Sequence, residues 1–307
     1  MRQNSTVQNG YRLVRLRNGA CSVRALAEGE TFHPGIGPAA EAEALYVRQL
    51  RLPERVRESS DEFVTWDVGL GAAANALTTI RLIRESLKRK PAQLHLVSFD
   101  LTTDAVVFAL EHGRELGYLA GYESALAELL QNHSVKFSDG LLQVEWTLEA
   151  GDFPAFIDRT SRGYEAHSEK SEIGNRKSEI TPHAILFDPH SPKKNPAMWT
   201  VPLFAGLFRR LDPQRPCALA TFTRSTMART ALLLGGFFVG VGHPTGLKEE
   251  TTVAANRLDL LDEPLDRRWL DRAKRSGSAE PLDEPVYRQA RLLPETWERL
   301  RQHPQFL

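Results

Sequence analysis

Cysteine is scarce in this chain. Cys21 and Cys217 are the only two in 307 residues, with no CxxC spacing and no histidine cluster. That excludes a disulfide framework and a Cys/His zinc site. Both thiols read as reduced, Cys217 at the opening of a core strand. Long apolar runs are also missing: none approaches the ~20 residues that a membrane-spanning helix needs, and the first stretch, MRQNSTVQNGYRLVRLRNG, has no apolar signal region. A soluble, cytoplasmic chain with no metal and no membrane partner is expected. Net charge is the third absence. Lys+Arg and Asp+Glu both number 39, so no whole-molecule field gathers nucleic acid, and a polyanionic partner would have to meet a local basic patch.

Hydrophobic residues make up 41% of the chain, enough for a large core. From residue 63 short β-rich runs alternate with helical periodicity, the pattern of βαβ units on a mostly parallel sheet. Strands are predicted at 63–68, 93–99, 142–148, 183–187 and 217–222. Helices are predicted after the first turn, where Leu77, Ile80, Ile83 and Leu87 step by three and four, and at about 103–116, 196–211 and 225–234. Runs at 237–241 and 251–255 suit an antiparallel edge hairpin. The division expected is an N-terminal extension (1–60), an α/β domain (61–257) and an irregular helical tail (258–307). Residues 160–182, charged and nearly without apolar content, read as a mobile loop.

In an open parallel sheet, ligands bind outside the carboxyl ends of the strands. Here the first four strands run out at Asp67, Asp100, Asp152 and Asp188. One aspartate there is ordinary turn chemistry; four on one rim make a constellation. The first turn, WDVGLGAAAN, carries Gly69 and Gly71 but not the third glycine of the dinucleotide fingerprint, which is weak alone. Asp100 is placed to hold a ribose diol, a feature common to NAD and adenosyl-cofactor enzymes. A pyrophosphate avoids negative charge beside a helix N-terminus. S-adenosylmethionine, with a sulfonium and an ammonium, tolerates it, and Asp67 inside the turn favours the cation.

The stretch FDPHSPKKNPAMWT at 187–200 is similar to the D-x-F-(A/S)-P-x-K-N-P-x-(M/L)-W signature of the tRNA 5-methylaminomethyl-2-thiouridine-forming methyltransferases, the MnmC methyltransferase domain and its stand-alone relatives. FHPGIGPAAEAEALYV (32–47), WDVGLGAAANAL (66–77), LATFTRSTMARTALLLGGFFV (219–239) and GHPTGLKEETTVA (242–254) resemble further family segments in the same order, so the likeness covers about residues 11–257. His190 replaces an aromatic, Leu70 a Phe and Ala73 a Gly, and Glu249 falls where a basic pair is usual.

The resemblance implies a class I S-adenosylmethionine-dependent methyltransferase, Rossmann-like, with a mostly parallel seven-stranded sheet and an antiparallel edge hairpin. It implies methylation of the primary amine of 5-aminomethyl-(2-thio)uridine at the tRNA wobble position; any FAD-dependent oxidase activity would belong to a separate protein. Asp67, Gly69, Gly71, Asn75, Asp100, Asp152 and Asp188 are expected to bind cofactor, Asp152 at the adenine edge. Asp188 is also the catalytic candidate: a carboxylate can orient the amine lone pair and take up its proton. Candidates for substrate contact are His33, Glu41, Pro189, Lys193, Lys194, Trp199 and Arg224, with His190 flanking the pocket. Proline stiffens the loop, Trp199 offers a stacking face, and the lysines meet phosphate. Arg12, Arg15, Arg17 and Arg24 complete a basic patch. Two other readings stand beside this one: methylation of a small-molecule amine, and an inactive module that keeps the fold for RNA or protein contact.

Overall fold

The structure is a computed structural model that describes residues 7–8, 10–162, 181–245 and 249–307. Most of the charged stretch 160–182 lies outside the described residues. The chain divides into two compact units.

The first unit comprises residues 1–151, 186–190 and 243–249. It opens with a four-stranded antiparallel sheet of β1 (Val7–Gln8), β2 (Tyr11–Arg15), β3 (Cys21–Ala25) and β4 (Glu30–Thr31), in that order. Then come α1 (Pro38–Ala42), a π-helical turn Glu43–Arg48, and α2 (Leu52–Glu58). The nucleotide-fold half follows with β5 (Phe63–Val68), α3 (Ala74–Ser86), β6 (Ala92–Asp100), α4 (Asp104–Glu111), α5 (Gly113–Leu116), α6 (Glu123–Asn132), β7 (Ser134–Asp139) and β8 (Leu142–Ala150). It also holds the end of β9 (Ala184–Phe187). All six residues of β5 are buried, as a strand covered on both faces must be; its sequence, FVTWDV, is β-branched and aromatic almost throughout.

The second unit comprises residues 152–185, 191–242 and 250–307. It holds α7 (Phe153–Arg162), the start of β9, a 3-10 turn Pro196–Trp199, α8 (Val201–Arg210), β10 (Ala218–Thr221), α9 (Thr226–Leu234), β11 (Phe238–Gly242) and β12 (Thr251–Ala255). The C-terminal segment adds α10 (Arg267–Arg275) and α11 (Pro294–Arg301). That segment has its own fixed contacts. Trp269 stacks on Phe306 with ring centres 6.4 Å apart, and buried Glu280 accepts from Leu293 N–H (2.9 Å) and the Thr296 hydroxyl (2.8 Å) at the start of α11.

The strand order is β11-β12-β10-β9-β5-β6-β8-β7. Pairing is parallel through β5, β6 and β8, and antiparallel where β7 meets β8 and where β12 meets β10 and β11. The sheet thus has eight strands where the sequence reading gives seven. The extra one is β7, returned into β8 by the Asp139-Gly140 turn, with Gly140 at φ 63.

Candidate active site

The turn from β5 to α3 is shaped by close backbone approach. Gly69 has φ 96, and a Cβ built there would lie 2.5 Å from the carbonyl oxygen of Asp188, so only glycine fits. Ala73 also adopts the left-handed conformation, φ 62, at the N-cap of α3, where the family pattern has glycine. Asp100 braces this turn from the end of β6: its Oδ2 accepts from Gly71 N–H at 2.8 Å and its Oδ1 from Thr102 N–H at 3.4 Å. Burial raises the Asp100 pKa, against those amides and the nearby His190, which favour its charge.

Asp67 is fully buried, and burial pushes its pKa well up, with Asp188 and Asp100 adding to the rise and a Ser98 hydrogen bond opposing it. Its Oδ2 accepts the Ser98 hydroxyl at 2.9 Å; Ser98 Oγ in turn accepts Trp146 Nε1–H at 2.9 Å. Asp67 Oδ1 and Asn75 Oδ1 are buried atoms with no hydrogen-bond partner among the described residues.

Asp188 follows β9, its backbone N–H bonded to Val68 O at 2.8 Å, which carries the sheet one residue past the strand. Its Oδ2 accepts from Asn75 Nδ2 at 2.8 Å and faces His33 Nε2 at 3.7 Å. The phenol of fully buried Tyr46, on the π-helical turn, titrates far above its ordinary range through burial first and the Asp188 charge second. A π-turn inside a helical run commonly marks a functional position. Next along the loop, Pro189 is buried and His190 Nδ1 lies 3.2 Å from Glu30 Oε2, with its ring 5.9 Å from that of Phe32. Three carboxylates, two of them with raised pKa, therefore gather in one unit with unpartnered acceptor oxygens. Such a site is stabilised by a cation, and the sulfonium and ammonium of S-adenosylmethionine meet that demand.

Other expected residues are engaged differently. Glu41 Oε1 accepts the N–H groups of Gly35 and Ile36 (3.0 Å for the latter), so its buried carboxylate holds the 33–37 loop. Trp199 is fully buried in the second unit, edge-on to Phe204 and Phe222, with no face left for a base. Also in that unit, Asp152 Oδ2 accepts from Ala155 N–H at 3.0 Å and caps α7, while Lys193, Lys194 and Arg224 are exposed. The sequence reading passed over Tyr46, Glu30 and Leu101. Leu101 follows Asp100 directly and is 70% exposed, an apolar surface beside the cradle.

A family model described as S-adenosyl-L-methionine-dependent methyltransferase matches residues 171–257. Among curated relatives, the tRNA 5-methylaminomethyl-2-thiouridine biosynthesis bifunctional protein MnmC of Aeromonas salmonicida is 28% identical over 220 residues, covering 68% of this chain and 30% of the relative. The protein of that name from Aeromonas hydrophila is 28% identical over 261 residues, covering 81% and 36%. The chain thus spans about a third of the length of the curated relatives it matches. Among solved structures, MNMC2 from Aquifex aeolicus superposes with a TM-score of 0.63 at 19% identity, covering 96% of this chain and 84% of that one.

Sheet order, glycine turn and acid-lined rim define a class I S-adenosylmethionine-dependent methyltransferase. Within that class the chain is similar to the MnmC proteins, at 28% identity over 220 and 261 residues.

Proposed function

We propose that this protein methylates the primary amine of 5-aminomethyl-(2-thio)uridine at the wobble position of tRNA, in the cytoplasm. The observation that carries this reading is Asp188: a carboxylate at the tip of β9, fixed by Asn75 and faced by His33, beside a turn that only glycine can form. Asp67, Gly69, Gly71, Asn75 and Asp100 would hold the cofactor. When bound, S-adenosylmethionine supplies an electrophilic methyl group on a positively charged sulfur. The chain's own residues have the larger task, alignment. Asn75 locks the rotamer of Asp188, and the buried Pro189 limits drift of the loop behind it. Asp188 then orients the amine and accepts its proton as charge shifts. Leu101 offers an apolar cover to the adenine.

Recognition of tRNA would fall to exposed cations, Lys193, Lys194 and Arg224 in the second unit and Arg15 and Arg17 in the first. The even charge balance favours a second reading, a small-molecule amine acceptor. Nucleoside mass spectrometry separates the two. Incubation of undermodified tRNA with protein and S-adenosylmethionine should convert 5-aminomethyl-2-thiouridine to its methylamino form; unchanged nucleosides beside methylated free amines would select the second reading.

A further inference from the structure

His33 occupies a position that local structure alone does not favour. Its φ is 47, in the left-handed region that side-chain-bearing residues seldom adopt. The surroundings hold it there: Phe32 N–H bonds to Val23 O at 2.8 Å on one side, and Glu41 accepts from Gly35 and Ile36 on the other. Backbone strain of this kind persists where the surrounding structure over-determines it, and it concentrates at functional sites. The strained residue aims Nε2 at Asp188 Oδ2, 3.7 Å away, while its side chain stays 10% exposed. His33 thus faces the proposed base and keeps contact with solvent.

We propose that His33 is the proton-relay partner of Asp188 in amine methylation, an inference that rests on the reading given above. An alkylammonium such as a lysine side chain holds its proton with a pKa of about 10.4, and in that form the nitrogen has no lone pair to donate. One N–H proton must leave before the N–C bond forms. Asp188 accepts it and passes it to His33 Nε2, which returns the carboxylate to its anionic form. As a class, imidazoles hold a proton about 2.6 units more tightly than aspartate carboxylates, so the relay lowers the uphill part of the transfer. From His33 the proton passes to water. The balance is complete: the ammonium loses one proton, its freed pair forms the N–C bond, the C–S pair returns to sulfur, and nitrogen ends as a secondary ammonium.

The titratable groups around this pair are the Tyr46 phenol on the π-helical turn, Asp67 on β5 and Glu41 on α1, with Glu30 and His190 joined to each other beyond Phe32. Of these, the Tyr46 phenol also neighbours Asp188, but burial raises its pKa, so it keeps its own proton and cannot take up another.

His33→Gln keeps an N–H donor toward Asp188 but cannot carry the proton. The expected result is a kcat lowered about 100-fold, with affinity for S-adenosylhomocysteine held within about twofold by calorimetry. Imidazole added to the buffer should restore turnover in proportion to its free-base concentration. A variant within about threefold of wild type, or a loss that imidazole does not rescue, overturns the relay. Asp188→Asn separates this failure from that of the underlying reading. An inactive Asp188→Asn beside an active His33→Gln removes the relay alone, whereas an active Asp188→Asn removes the base on which it rests.

Discussion

Gly69 and Asp67 sit two residues apart in one turn, yet they answer to different physics. At Gly69 the constraint is steric. Gly69→Ala would force a methyl to 2.5 Å from Asp188 O at φ 96, so the 188–189 backbone must move. We expect a loss of about 2–4 kcal/mol in urea melts, together with weakened binding of S-adenosylhomocysteine. At Asp67 the constraint is electrostatic. Its pKa is raised in the folded chain, so the folded state keeps a proton to higher pH than the unfolded chain does. By linkage, the stability that this group contributes is complete below the unfolded carboxylate pKa of about 3.9 and is lost as pH rises through the folded value. Asp67→Asn removes that dependence and can still accept from Ser98. The two proteins should melt close together near pH 5, and the variant should be more stable at pH 8, by about 1–2 kcal/mol. Equal gaps at both pH values would show that Asp67 is not held in its protonated form.

Between elements, the second unit has a comparable junction. Arg229 on α9 is 2% exposed and reaches β12 with Nε to Thr252 Oγ1 (2.9 Å), Nη2 to Thr251 O (2.7 Å) and Nη1 to Glu250 (3.2 Å). Burial lowers its pKa against the pull of Glu250. Because Glu250 is partly exposed, the two bonds to buried oxygens are the larger contribution. Arg229→Ala should cost about 2–3 kcal/mol in thermal or urea unfolding.

The strands of the large sheet were legible because a buried strand needs a short run rich in apolar and β-branched residues, and β5, β6, β9 and β10 each have one within a residue or two of the predicted bounds. The edge strand β7, with burial alternating along SVKFSD, gives a weaker signal and was passed over. So were β1 and β4, of two residues each, and the π-helical turn, whose apolar spacing looks α-helical. The site divides in the same way. That Gly69, Asn75, Asp100 and Asp188 meet at one turn was readable because strand ends and turns fix where their side chains start. Glu41 and Trp199 were not: whether a carboxylate meets a ligand or two backbone amides, or an indole meets a base or two phenylalanines, depends on distant chain that no local pattern encodes.

For the molecule as a whole, equal numbers of acidic and basic residues leave substrate recognition to local groups, and acids concentrate at the cofactor rim. No helix among the described residues is long and apolar enough to cross a membrane. The account depends on one separation of roles, with Asp100 and the glycine turn it braces holding the cofactor and Asp188 governing transfer to the amine. The direct test is Asp188→Asn, measured on the same preparation for S-adenosylhomocysteine affinity by calorimetry and for label transfer from S-adenosylmethionine to undermodified tRNA. The account predicts affinity within about threefold of wild type and transfer lowered at least about 100-fold. Transfer that persists near the wild-type rate would contradict it.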